Sequence, residues 1–400
     1  MAFDESSTIA IVGASLAGLR AAEALRGESF GGRIVMIGAE NHLPYDRPPL
    51  SKQFLAGDWG LDKLRLRDPQ KIEALELDIR LGRSAIALDV EGHSLELDDA
   101  SVVNFDGLVV ATGSHPRMIP GTEAIGRVHV LRSLEDSIAL KDATTEPGTR
   151  VVVVGAGFIG SEVAATCHRR GAQVTVIEAL PVPLQRALGE QMGAACAALH
   201  TDNGVELRTG VGVRRLRDDG VELEDGTVIA ADVILVGIGV VPTTDWLNGS
   251  GLEIRDGVVA DANLHAAEDI VVAGDLARWY DEGMGEEVRI EHWNNASEQG
   301  MAAARSLLAG RGAAHAYVPV PYFWSDQYDV KIQMLGHPRP EDDVKVVDGS
   351  VSDRRFVALY GRDGRLTGAL GFSRPRQLMR YRQLLEQGAS FDEALAQQPV

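Results

Sequence analysis

Hydrophobic positions along the chain fall into a repeated order. An apolar run, a glycine-rich turn, an amphipathic stretch of helical period and a second apolar run occur from Thr8 to Ile37 and again from Arg150 to Ile177. The first turn reads Gly13-Ala14-Ser15-Leu16-Ala17-Gly18 and the second Gly155-Ala156-Gly157-Phe158-Ile159-Gly160. Each predicts the strand–turn–helix–strand opening of a dinucleotide-binding unit. The turns begin at residues 13 and 155, 142 apart. That is a domain's length, so the repeat predicts two nucleotide sites in one chain.

A strand-rich region follows each unit. After the first come Asp78 to Leu88, Ser94 to Leu97 and Gly107-Leu108-Val109-Val110-Ala111-Thr112-Gly113. After the second come Val205 to Val213, Val221 to Leu223 and the run from Ala231 to Gly239. The two glycine-ended runs are expected to be the last parallel strand of each domain. A further apolar run, Asp269 to Ala273, leads into Gly274-Asp275, and Asn294 to Ala309 has helical patterning. From about Pro319 the pattern changes to alternating strands and a final helical segment, which predicts a third domain. A chain of 400 residues exceeds what one core organises. The expected fold class is therefore α/β, with two dinucleotide-binding domains and a smaller α+β C-terminal domain.

Composition narrows the function. Apolar residues make up 45% and charged residues 24%, the balance of a soluble globular protein, and no apolar run reaches the roughly 18 to 20 residues of a membrane span. Met1 to Ser7 is polar and acidic and lacks the basic start and apolar middle of a secretory signal, so a cytoplasmic location is expected. The formal net charge of −19 excludes nucleic acid as a natural partner. Residues 321–400 contain 11 Lys/Arg and 11 Asp/Glu, so all the net charge resides in the first 320 residues. Cys167 and Cys196 are the sole cysteines, 29 positions apart in helix-like stretches. Without Cys-x-x-Cys or a histidine cluster they read as ordinary core thiols, and no metal site is expected.

The turn residues carry the candidate chemistry. Gly155, Gly157 and Gly160 let the backbone approach a pyrophosphate, and the helix that follows supplies free N–H groups and positive partial charge. Glu178 ends the second strand of that unit, 23 residues beyond Gly155, where a carboxylate accepts from ribose hydroxyls and repels a 2′-phosphate. NADH is accordingly expected rather than NADPH, with Arg186 near enough to blunt the preference. In the first turn Gly13, Ala14, Ser15 and Gly18 play the matching part, with serine in place of the middle glycine. Gly38 occupies the position expected for its ribose acid, which makes Glu40 the candidate. Asp275, after Gly274 at a strand's carboxyl edge, is suited to a ribitol chain; with the Ala111-Thr112-Gly113 exit it points to FAD in the first domain.

These residues, together with Tyr45-Asp46-Arg47-Pro48-Pro49-Leu50-Ser51-Lys52, Gly157-Phe158-Ile159-Gly160-Ser161-Glu162-Val163-Ala164-Ala165 and Pro321-Tyr322-Phe323-Trp324-Ser325-Asp326-Gln327, resemble the two-dinucleotide-domain flavoprotein reductases. The resemblance is nearest to the putidaredoxin reductase and ring-hydroxylating dioxygenase ferredoxin reductase type and runs along nearly the whole chain. It implies a glutathione-reductase-like architecture of two Rossmann-like domains. An FAD domain (1–113 and 240–318) would be interrupted by an NAD domain (114–239), followed by a C-terminal interface domain (319–400). It places Lys52 near the flavin N5, where a cation stabilises the charge that arrives with hydride, and Glu162 as its carboxylate partner. It assigns Arg132 to the FAD pyrophosphate and Trp324 to the isoalloxazine face. Arg47, Ala85 and Trp293 join the FAD set, and Phe158, Ile159 and Gly239 the NAD set.

No cysteine occurs from Asn41 to Lys52, where disulfide reductases of this superfamily place their redox pair. Electrons are then expected to leave one at a time, which suits a small acidic [2Fe–2S] ferredoxin feeding a haem-thiolate monooxygenase or a Rieske dioxygenase. Arg374, Arg376, Arg380 and Arg382, with no acid between Ser373 and Leu385, are the candidate dock. Competing readings are a rubredoxin reductase or NADH oxidase, and a flavin redox sensor of the apoptosis-inducing-factor kind. Fast ferredoxin turnover favours the reductase, and a persistent flavin–NAD complex the sensor. Nothing in the sequence marks an interface, which leaves a monomer and a weak dimer both open.

Overall fold

The computed structural model describes residues 3–122 and 125–397. Its mixed α/β chain divides into two compact units. The first comprises Met1–Asp46, Leu64–His115 and Val241–Pro319; the second comprises Arg47–Lys63, Pro116–Val240 and Val320–Val400.

The first unit is built on a six-stranded sheet. Its order is His265–Ala267, Ile270–Val272, Gly107–Val110, Thr8–Val12, Arg33–Gly38 and Leu77–Leu81. Thr8–Val12 runs parallel to Arg33–Gly38 in the register Thr8↔Arg33 to Val12↔Ile37, and its other edge pairs in parallel with Gly107–Val110. Ile9, Ala10, Ile11 and Val12 are all buried, because both sheet faces are covered; this explains why the run is apolar without alternation. The helix Leu16–Gly27 packs against Trp293–Ala309. A Cβ on Gly300 would land on the Ala17 carbonyl oxygen, so glycine there is what permits the close approach.

The second unit holds a five-stranded parallel sheet ordered Glu206–Thr209, Gln173–Glu178, Arg150–Val154, Val233–Val236 and Val128–His129. It also holds an antiparallel five-stranded sheet ordered Tyr322–Gln327, Val330–Gly336, Arg365–Phe372, Arg355–Arg362 and Asp343–Ser350. The helix Gln185–Asp202 joins them. Its Leu188, Met192, Cys196 and Leu199 share one core with Ile332, Met334, Phe356, Tyr360 and Phe372 of the antiparallel sheet. Tyr360 hydroxyl donates to the Leu188 carbonyl at 2.9 Å, which satisfies a buried polar group inside that core.

Three details differ from the sequence expectation. Gly107–Val110 is not the last parallel strand of its sheet, because Ile270–Val272 pairs in parallel on its far side, whereas Val233–Val236 is the last of its sheet in chain order, with Val128–His129 on its outer side. The Asp78–Leu88 run breaks at Gly82 into Leu77–Leu81 and Ala85–Asp89, and Val205–Val213 breaks near Gly210 into Glu206–Thr209 and Val213–Arg217. The two glycines have φ of 64° and 69°, a conformation that ends a strand and costs glycine little.

Candidate functional site

In the first unit the turn after Thr8–Val12 is one that only glycine can make. Gly13 has φ +121°, and a Cβ there would fall on the Ala111 carbonyl oxygen; one on Gly18 would fall on the Gly13 carbonyl oxygen. The exit Ala111-Thr112-Gly113 therefore lies directly against the turn. Thr112 Oγ1 donates to the Thr243 carbonyl at 2.7 Å. Ser15 precedes the helix Leu16–Gly27, so Ala14, Ser15 and Gly18 surround its N-terminus, an anion-binding end. Glu40, just beyond the Arg33–Gly38 strand, accepts from the Tyr45 hydroxyl. Asp275 accepts from Ser114 Oγ at 2.8 Å, and the neighbouring Gly274 N–H donates to Gln299 Oε1 at 2.8 Å. Trp293 opens its helix with its indole N–H donating to Asp46 Oδ1 at 2.7 Å. Ala85 starts the Ala85–Asp89 strand. Turn, helix N-terminus, terminal carboxylate and strand-end aspartate fit a flavin dinucleotide.

In the second unit Gly155 has φ +98° and its Cβ would strike the Gly237 carbonyl oxygen, while a Cβ on Gly160 would strike the Gly155 carbonyl. At Gly157 the nearest atom to an added Cβ is Gly237 O at 4.0 Å, so this position leaves room for a ligand. Glu178 grips the turn: its Oε2 accepts from Ala156 N–H at 2.8 Å and its Oε1 from Leu180 N–H at 2.9 Å. A carboxylate oxygen has two lone pairs, so each retains capacity for a ribose hydroxyl. Ile159 and Arg186 are exposed, and Gly239 is an exposed turn glycine at φ +105°. This turn fits a second dinucleotide.

The same unit gathers the charged residues. Lys52 Nζ lies 2.7 Å from Glu162 Oε2, and both side chains are about nine-tenths or more withdrawn from solvent (11% and 6% exposed). Ser51 Oγ donates to the same Oε2, and Ser325 Oγ donates to Oε1 at 2.8 Å. Glu162 is buried in the helix Phe158–Arg169, one turn beyond its N-terminus. The segment bearing Lys52 is tied down by Ser137 Oγ, which donates to the Leu50 carbonyl at 2.7 Å, and by Thr166 Oγ1, which donates to Ser51 O at 2.8 Å. Arg47 donates to the Arg132 carbonyl. Trp324 lies mid-strand in Tyr322–Gln327, half-buried, its ring stacked on Tyr322 at 6.2 Å. Ser51, Ser325 and Gln327, whose Nε2 donates to Ser325 Oγ at 3.2 Å, were not singled out from sequence. The period-2 alternation of a strand puts Ser325, the residue after Trp324, on the opposite face.

The arginine cluster is less bare than its sequence suggests. Arg374 pairs with Asp348 at 3.2 Å and Arg382 with Glu386 at 3.0 Å; Arg376 and Arg380 are exposed. Asp348 arrives from the Asp343–Ser350 strand, a tertiary neighbour that local charge counting misses. Both cysteines are fully buried, and burial pushes each thiol up to about 12. Neither is a thiolate at neutral pH, so neither is equipped for thiol redox chemistry. Among the described residues no helix is long and apolar enough to cross a membrane.

The two dinucleotide turns and the buried lysine–glutamate pair define a class, and the chain belongs to it: it is a member of the pyridine nucleotide-disulphide oxidoreductases, matched over residues 7–300. Residues 322–400 match the reductase C-terminal family. The chain is 36% identical over 386 residues to rhodocoxin reductase of Rhodococcus erythropolis, covering 94% of this chain and 89% of that protein. It is 39% identical over 390 residues to the ferredoxin–NAD(+) reductase component of the anthranilate 1,2-dioxygenase system of Burkholderia cepacia, covering 96% and 95%. The structure of putidaredoxin reductase in its covalent complex with putidaredoxin superposes with a TM-score of 0.92 at 29% identity, over 98% of this chain and 96% of that one. The fold is therefore that of two Rossmann-type domains followed by a C-terminal domain.

Proposed function

We propose that this protein is an NADH-dependent, FAD-containing ferredoxin reductase that serves an oxygenase. The observation that carries the reading is the pairing of two dinucleotide turns with thiols that are buried and protonated. Two nucleotides can be held, yet no cysteine is available to take the electrons onward. Relatives named as ferredoxin reductase components of dioxygenase systems, alike over 82% or more of their length, support the same acceptor class.

Bound FAD would supply two-electron hydride acceptance from NADH and one-electron release to a [2Fe–2S] acceptor. The chain's own residues bind and orient. Gly13 to Gly18, Glu40, Asp275, Arg47, Arg132, Ala85, Ala111 to Gly113 and Trp293 form the FAD set; Gly155 to Gly160, Glu178, Arg186 and Gly239 form the NAD set. Glu178 sets the preference for an unphosphorylated ribose. Lys52 and Glu162 tune the transfer, and Trp324 covers the ring system. Arg376 and Arg380, with Arg374 and Arg382 beside them, steer a small acidic ferredoxin. The domain limits follow the same reading: 1–113 with 240–318 for FAD, 114–239 for NAD, and 319–400 for the acceptor side. A cytoplasmic setting accords with cysteines kept as thiols.

The test is anaerobic stopped-flow with the purified protein, NADH and then an oxidised [2Fe–2S] ferredoxin, both chromophores followed. Prompt flavin bleaching and subsequent ferredoxin reduction are expected. Bleaching that no ferredoxin reverses would replace this reading with an oxidase or a sensor.

A further inference from the structure

We propose that Ser325 is a positioning residue for the Lys52–Glu162 pair, reaching it from the C-terminal sheet; the proposal rests on the reductase reading above. Alternation along Tyr322–Gln327 puts Phe323, Ser325 and Gln327 on one face and Tyr322, Trp324 and Asp326 on the other. On the helix Phe158–Arg169, Phe158 and Glu162 are four residues apart and share a face. These two faces meet. The rings of Phe158 and Phe323 stand 4.5 Å apart, and two residues along the strand Ser325 Oγ reaches Glu162 Oε1 at 2.8 Å.

The direction of that hydrogen bond is determined. Gln327 Nε2 donates to Ser325 Oγ at 3.2 Å, and Ser325 and Gln327 are both fully buried. A hydroxyl has one proton, and with an amide donating into its lone pair that proton is directed at Glu162. The carboxylate is thus held at both oxygens, Oε2 by Ser51 and Lys52 and Oε1 by Ser325. The terminal torsion of glutamate is broad, so a carboxylate gripped at one oxygen alone would turn and take the ammonium with it. Packing does not demand a hydroxyl here, since alanine fills nearly the same space. The strand that carries Trp324 on one face therefore orients the ion pair with the other.

The experiment uses the holoenzyme and the variants Ser325→Ala, Ser325→Thr, Lys52→Ala and Lys52→Ala/Ser325→Ala. Flavin reduction by NADH is followed by anaerobic stopped-flow, and the flavin midpoint potential by spectroelectrochemistry. In Ser325→Ala the limiting reduction rate falls about tenfold while NADH affinity changes by less than about twofold, the signature of misplacement without lost binding. The midpoint potential falls as well, because a less compensated Glu162 charge opposes the gain of electrons. Ser325→Thr restores both, and Ser325→Ala adds nothing once Lys52 is gone. A normal rate and potential in Ser325→Ala, or an equal further loss in the Lys52→Ala background, overturns the positioning role alone. A wild-type rate in Lys52→Ala overturns the function assigned to the pair itself.

Discussion

Lys52 Nζ and Glu162 Oε2 stand 2.7 Å apart although 110 residues separate them in the chain, and the pair is almost wholly removed from solvent. Two buried charges repay their desolvation only when geometry and extra hydrogen bonds are good. Ser51 and Ser325 supply those bonds to the carboxylate. Lys52→Met leaves Glu162 buried without a counter-charge and is expected to lower stability by about 3 kcal/mol. Lys52→Met/Glu162→Gln is expected to recover most of that loss, while flavin reduction by NADH stays slow in both. Thermal melts and stopped-flow on the two proteins check it; a double variant no more stable than the single one contradicts the internal compensation.

The two glycine turns are expected to separate the two cofactors. Gly13→Ala drives a Cβ onto the Ala111 carbonyl, and Gly160→Ala drives one onto the Gly155 carbonyl. The first variant should purify with little flavin. The second should keep its flavin and lose NADH binding by at least about tenfold. Flavin absorbance per protein and NAD+ titration calorimetry read the two losses independently.

His200 gives the fold an acid limit. It is buried, with Nδ1 2.8 Å from the Tyr328 hydroxyl and Nε2 3.3 Å from Ser161 Oγ, and burial lowers its pKa to about 4. The unfolded chain, titrating near the ordinary 6.5, binds the proton first. The contribution is therefore complete above pH 6.5 and is lost as pH falls from there through 4, about 3 kcal/mol in all. His200→Gln is expected to flatten denaturant stability across that window. A slope unchanged between pH 6.5 and 4 would show that other groups carry it.

Reversing charge at Arg376 and Arg380 is expected to slow ferredoxin reduction severalfold at low salt and to leave flavin reduction by NADH untouched. The same change at Arg374 should act less on docking, since that side chain already pairs with Asp348. Stopped-flow over a range of ionic strength distinguishes the two.

Cys167→Ala/Cys196→Ala is expected to retain ferredoxin reduction within about twofold. In the native protein neither thiol should react with a thiol reagent until the fold is opened, because each is fully buried and protonated.

The local patterns were legible in the sequence because local physics enforces them. Gly13, Gly18, Gly155 and Gly160 cannot carry a Cβ without striking a carbonyl, so the turns are written as glycine at fixed spacing. Strands covered on both faces must be apolar throughout, so Thr8–Val12 and Arg150–Val154 declare themselves. Glu178, 23 residues beyond Gly155, Asp275, after a glycine at a strand's end, and the unusual strings around Lys52 and Trp324 are the candidates such local patterns offer. The strand edges were not legible. Val128–His129 is two residues long, and no pattern of its own marks it as a sheet edge.

The amino-acid sequence by itself thus determined the two dinucleotide units, the third domain and the identity of the charged residues, since these depend on steric and periodic constraints spanning only a few positions. Tertiary structure alone decided which side chains meet. It brought Asp348 to Arg374, joined the helix Gln185–Asp202 to the antiparallel sheet, and set Ser51 and Ser325 on the two oxygens of Glu162. Such meetings depend on how separate elements pack. A carboxylate is satisfied by any donor that packing delivers, so its partners leave no fixed spacing in the chain.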